Sequence, residues 1–193
     1  MRLLRRTPLL TLTFVAALFA LAAVGGPSPL PGPAAALAAS CPGSDSSPRQ
    51  ISSEQASRMV VCLINQARVK HGLKKVHARG ELEGAATSHS AQMQETDCFD
   101  HTCPGEPELA GRYAKSNYLP CGCSWGAAEN IAWGPRAKGS PRAIVDAWMG
   151  SAPHRANILD GSYTDVGVGV RWGSPEKRGK SAGTYTLDFG YRK

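Results

Sequence analysis

The sequence contains no internal repeat, no heptad array and no change of composition that would mark a second globular domain. H-E-x-x-H is absent, which removes the two-histidine helix of many zinc proteases. Ser151 stands in Met149-Gly150-Ser151-Ala152-Pro153 and not in a G-x-S-x-G string, so Ser151 and His154 lack the strained turn on which α/β-hydrolases expose their serine. The six cysteines never form paired C-x-x-C knuckles. Cys98, Cys103, Cys121 and Cys123 therefore read as bridge partners before they read as a zinc site. Acidic residues are outnumbered, 15 against 22 lysines and arginines. After Val24 there is no apolar run long enough to cross a bilayer.

What is present begins with Arg2, Arg5 and Arg6 ahead of an apolar run from about Leu9 to Val24, followed by Pro- and Ala-rich sequence ending in small residues at Ala36, Leu37 and Ala38. That order predicts a signal peptide over 1–39, cleaved after Ala38 or Ala39, with a membrane anchor as the competing reading. The Arg5-Arg6 pair leaves a twin-arginine route open. Cleavage removes three arginines and no acids, so the net charge falls from +7 to +4. That charge is too small to imply a nucleic-acid ligand and suits an exported protein meeting anionic wall or lipid, with no stable transmembrane insertion once the leader is gone. The mature chain of about 150 residues is enough for one domain with a real core. Cys41, Cys62, Cys98, Cys103, Cys121 and Cys123 all survive, and an even number in an exported chain reads as up to three disulfides. Cys121 and Cys123 are too close in sequence to pair with each other.

Residues 40–51 form a polar lead-in, and 52–193 the domain. A helix is expected from Ser52 or Ser53 to Gly72, with Met59, Cys62, Leu63 and Ala67, joined by Val60 and Val69, as its apolar stripe. A second covers about Gly80–Glu95 and places His89 near its apolar side, as a buried, hydrogen-bonded histidine. A short third helix spans Glu108–Ser116, and a fourth Ser140–Met149 with Ser140 as cap and Pro141 at the first helical position. Trp125–Gly134 reads as a loop entering a short extended segment. Period-two alternation then puts Val166, Val168 and Val170 on one side of one strand and Tyr185, Leu187 and Phe189 on one side of another. Helices first and a hairpin last predict a mixed α/β domain.

Chemically capable side chains concentrate in Phe99-Asp100-His101-Thr102, in Ala128-Glu129-Asn130-Ile131, at Asp146, and in Pro153-His154-Arg155-Ala156-Asn157. Two histidines and a carboxylate suit a divalent metal or general acid–base work. Asp146 reads as a helix-face acid, His71 and His77 as exposed, Asn130 and Asn157 as loop ties, and Trp125, Trp133 and Trp148 as packing residues.

FDHT at 99–102, AENIAWG at 128–134 and DAWMGSAPHRANIL at 146–159 followed by YTDVGVGV at 163–170 resemble the bacterial branch of the CAP superfamily, the family of cysteine-rich secretory proteins, antigen 5 and pathogenesis-related proteins, whose unit is also called the SCP domain. The likeness covers about 54–191. It implies an α/β fold, a three-layer α-β-α sandwich with a central antiparallel sheet. It further implies a cleft holding His101, Glu129 and His154, with Ser151 standing where the family has a fourth, acidic member. His101, His154 and Glu129 would be the ligands of a divalent metal such as zinc. Bonds from Cys98 or Cys103 to Cys121 or Cys123 would staple the two sides of that cleft and leave Cys41 with Cys62. The function this implies is secretion, outside the cell or on its wall, and non-enzymatic binding of a small apolar or cell-wall-derived ligand. Metal-assisted hydrolysis of peptide or wall polymer is the alternative, with Glu129 working on water between His101 and His154. A structural or protein-interaction domain is the third.

Overall fold

Ser52 and Gln55 open the first helix reciprocally: the Ser52 hydroxyl accepts from the Gln55 N–H at 3.0 Å, and the Gln55 side chain accepts from the Ser52 N–H at 2.8 Å. In this computed structural model, which describes residues 41–119, 124–176 and 181–193, helix α1 spans Ser53–Lys70. Strand β1 is His77–Ala78, α2 Gly80–Glu95, α3 Leu109–Lys115 and β2 Trp125–Pro135. A single 3-10 turn, Arg136–Gly139, leads to α4, Pro141–Gly150, and α5, Ala152–Ile158. Strands β3, Asp165–Trp172, and β4, Ala182–Arg192, complete the domain. The expected leader and both Cys121 and Cys123 lie outside the described residues.

The sheet order is β1-β3-β4-β2. Its three long strands are antiparallel, as expected of the sandwich, while the two-residue β1 runs parallel to β3. One face carries Val166, Val168, Val170, Tyr185, Leu187 and Phe189 against Val60 and Ile64 of α1 and Ile144 and Trp148 of α4. This is the apolar core. The other face is polar and close-fitting. A Cβ at Gly167 would stand 2.1 Å from the Leu82 backbone and one at Gly169 2.2 Å from that of Ala86, so only glycine lets α2 lie this near the sheet. Ser90 of α2 hydrogen-bonds the Thr186 hydroxyl at 2.8 Å within that layer.

Three expectations need correction. Trp125–Pro135 is not a loop with a short extended piece but an eleven-residue strand, because small residues let it pair along its length with β4. The α1 stripe holds Val60 and Leu63, with Cys62 and Ala67 packed beside them as expected, but it also takes in Ala56 and Ile64 and leaves Val69 exposed. It ends in Arg68, 1 % exposed, whose guanidinium donates to the carbonyls of Lys74, Ile158, Asp160 and Tyr163. Cys98 bonds to Cys103, not to the 121–123 region, while Cys41 bonds to Cys62 as expected. The six-residue segment closed by Cys98 and Cys103 turns tightly enough to bring its own ends together. The lead-in is anchored: Arg142 of α4 donates to the Ser44 hydroxyl at 2.7 Å.

Candidate functional site

Glu129 sits mid-strand in β2 with its side chain on the polar face, 2 % exposed. One oxygen, Oε1, lies 2.8 Å from Nδ1 of His101 on the clasped 98–103 loop. The other, Oε2, accepts from Nη2 of Arg112 on α3. Both carboxylate oxygens are thus occupied. Burial pushes the Glu129 carboxyl up, yet the His101 hydrogen bond, the nearby His89 and the Arg112 guanidinium overcome it and hold it below the ordinary value. The Glu129 hydrogen bond in turn raises His101, whose side chain remains 55 % exposed.

His154 is carried by α5, a helix tied to β2 by asparagines. Asn130 donates to the His154 carbonyl at 3.1 Å, and Asn157 to the Asn130 side chain at 2.9 Å and to the Glu129 carbonyl at 3.3 Å. The His154 Nδ1 hydrogen-bonds the Ser151 hydroxyl at 2.9 Å. Desolvation, followed by the charge on His101, lowers the His154 pKa and so favours the neutral ring. His101, Glu129, Ser151 and His154 therefore form two hydrogen-bonded pairs, one charged and one neutral. Each histidine has spent Nδ1 on its partner and has Nε2 left to offer.

Behind Glu129 lies a buried polar layer that sequence reasoning did not identify. Arg112, 4 % exposed, also donates to the His101 carbonyl at 2.8 Å and approaches Glu106 at 3.9 Å. Glu106 takes the Nδ1 of buried His89 at 2.8 Å. Asp188 faces Glu129 across the β2–β4 ladder and is wholly buried. Neither Asp188 oxygen has a hydrogen-bond partner among the described residues. Desolvation, then the Glu129 charge, drives the Asp188 carboxyl well above the ordinary range. His89 is lowered, chiefly by desolvation.

The cleft at His101 has a volume near 290 Å³ and is lined by His101, Thr102, Glu108, Leu109, Ala110 and Glu129. Glu108, exposed at the rim, is a further carboxylate that the sequence reading passed over. A larger cavity, near 410 Å³, lies along α2 and shares Glu106 and Arg112 with the buried layer, but it contains neither His101 nor His154. His101 and Glu129 are at the smaller one, while His154 and Ser151 line neither of these two cavities. Of the other candidates, His71, His77 and Asp146 are exposed, and His89 is buried and hydrogen-bonded as expected. Trp148 packs in the core and donates to the Ile131 carbonyl at 3.1 Å. Trp125 does not pack as expected; it is 43 % exposed at the end of β2, as is Phe99, 42 %, beside the cleft loop.

Among the described residues no group of three or more His, Cys, Asp or Glu is placed to hold a metal ion. The donor set fits only a loosely held, largely hydrated divalent cation on two imidazole nitrogens, where resident zinc sites use three or four protein ligands.

Residues 61–187 match the family described as the cysteine-rich secretory protein family, CAP. The Bacillus subtilis protein YkwD is 35 % identical over 126 residues, 64 % of this chain and 45 % of that protein. The B. subtilis membrane protein YlbC is 32 % identical over 119 residues, 60 % of this chain and 31 % of its own. The chain thus spans less than half the length of these curated relatives. Among solved structures, an extracellular protein containing an SCP domain from Bacillus anthracis aligns with a TM-score of 0.59 and 26 % identity, covering 71 % of this chain and 40 % of that one. An outer surface protein from Borrelia burgdorferi aligns at 0.62 with 19 % identity, covering 74 % and 97 %, a likeness of fold.

Proposed function

Because this chain belongs to the cysteine-rich secretory protein, or CAP, family, we propose that it acts outside the cell as a binding module, with its cleft receiving a wall-derived ligand rich in hydrogen-bond acceptors. One observation carries the reading: both oxygens of Glu129 are already taken, by His101 and Arg112. Protonating Glu129 would weaken its charge-assisted contacts to His101 and Arg112, which hold its carboxyl below the ordinary value, so it is a poor base for a water in the cleft. What His101 and His154 offer instead is Nε2, a nitrogen suited to a hydroxyl or carboxylate of a ligand.

Four of the six lining residues, His101, Thr102, Glu108 and Glu129, carry hydrogen-bonding groups, so a ligand with donors and acceptors finds partners there. The leader-like 1–39 segment and the excess of basic residues support export to an anionic surface. A divalent cation would be held by His101 and His154, with Glu129 orienting His101 from behind; when bound it would supply a positive charge to a ligand oxygen. Metal-assisted hydrolysis is less well supported, because the base would have to be the exposed rim residue Glu108.

The test is calorimetric titration of the oxidised domain with soluble muropeptides and, separately, with a fatty acid. Saturable muropeptide binding, weakened at least tenfold in His101→Ala and His154→Ala, is the expected result. Binding of the fatty acid alone would replace the ligand class, and turnover abolished by Glu108→Gln would replace the reading with the hydrolase.

A further inference from the structure

Arg112 lies in the sequence LAGRYAK, where an arginine on a short helix would ordinarily extend into water. Instead it is 4 % exposed, with the 101–107 loop wrapped around its guanidinium. Nη1 donates to the carbonyls of His101 at 2.8 Å and Pro107 at 3.4 Å, and Nη2 donates to Glu129. Burying a guanidinium is expensive unless it is paired, and here the pairing is with the one carboxylate that also holds His101. Glu106 stands 3.9 Å away, and His89 interacts with the same two acids.

We propose that Arg112 is the specificity-determining residue of the cleft: a built-in cation, seated on Glu129 and on the His101 carbonyl, that keeps free divalent cations off the carboxylate and turns the cleft toward acceptor-rich ligands. The inference deepens the binding reading and rests on it. A dication approaching Glu129 meets the fixed guanidinium charge in a site where water screens it poorly, so the two compete for one anion. The guanidinium wins because it is covalently tethered and two of its nitrogens are already held, Nη1 by two carbonyls and Nη2 by Glu129, while Nε has no hydrogen-bond partner among the described residues. What remains for an incoming ion is the His101 imidazole and the exposed Glu108 carboxylate in the cleft, with the His154 ring near His101.

Zinc is the probe, so the result does not depend on the muropeptide titration. Calorimetry on the intact oxidised domain should give weak zinc binding, unchanged within about threefold in Arg112→Lys, which keeps the charge, and at least tenfold tighter in Arg112→Gln, which removes it. The gain should vanish in Arg112→Gln combined with Glu129→Gln. A residue that only braced the loop would weaken zinc binding when removed, so equal or weaker binding by Arg112→Gln overturns the proposal, as does an equal gain in Arg112→Lys. Should Arg112→Gln not fold, nitrogen-detected NMR of the wild type decides. Saturating zinc should shift the His101 and His154 rings and leave the Arg112 guanidinium signals in place; displaced guanidinium signals would refute the assignment.

Discussion

Asp188 stands directly opposite Glu129 across the β2–β4 ladder, with no hydrogen-bond partner among the described residues for either of its oxygens. Two ionised carboxylates in that dry layer would repel, and desolvation together with the Glu129 charge favours the neutral form of Asp188. A carboxyl whose folded pKa is raised contributes stability that is complete below its unfolded value and is lost as pH rises through the folded value. Asp188→Asn keeps the shape and cannot ionise. Urea unfolding at pH 6 and 9 should show wild-type stability falling with pH more steeply than that of the variant, which keeps only the decline due to His101, with a difference of about 1–3 kcal/mol at the higher pH. A variant less stable at both values would mean that Asp188 is ionised and paired.

His101 supplies the complementary test. The Glu129 hydrogen bond raises its pKa, so the pair stabilises the fold fully below the ordinary histidine value, and that stabilisation is lost as pH rises past the raised one. In metal-free protein, NMR titration should place the His101 midpoint above that of His154, which desolvation and the His101 charge lower. Glu129→Gln should lower the His101 midpoint and narrow the gap. If His101 does not move in that variant, the hydrogen bond is not what sets its protonation.

The two described disulfides should prove unequal in kind. Cys41–Cys62 closes a separation of 21 residues and Cys98–Cys103 one of 5. Loop-closure entropy assigns about 3 kcal/mol to the first and about 2 kcal/mol to the second. Replacing Cys98 and Cys103 by serine should nevertheless be the change that broadens the His101 NMR signals, since that bridge encloses the residue. Equal broadening when Cys41 and Cys62 are replaced would show that the clasp has no local role.

Arg68→Met should cost about 3 kcal/mol or more, because four carbonyls lose a charged donor. In a domain of this size that lowers the Tm by roughly 6–12 °C. A drop under 2 °C in a thermal melt would mean that water replaces the guanidinium without loss.

The front of the site was legible because its residues come in short, recognisable strings: Phe99-Asp100-His101-Thr102, Ala128-Glu129-Asn130-Ile131 and Ser151 to His154. Its back was not. Arg112 has neighbours typical of an exposed helix, and Asp188 alternates with Leu187 and Phe189 so that period two alone sends it toward solvent. Alternation says which residues share a face and leaves open what covers it. The signal that α2 covers the polar face was in TDVGVGV, where valines alternate with glycines rather than with polar residues, as a strand does when something presses on both sides. Trp125–Pro135 was misread for a related reason, since its alanines and glycines have low strand propensity and are extended only by pairing with β4.

The same two glycines divide the chain by how freely it can drift. At Gly167 and Gly169 the smallest added methyl collides with the α2 backbone, whereas at Gly80 and Gly84 of α2 it meets nothing within 4 Å. An added methyl is therefore accommodated at Gly80 and Gly84 of α2 but not where the sheet seats that helix. Because His89 rides on that helix and Glu129 on that sheet, the acid–base layer behind the cleft inherits the immobility of the seat.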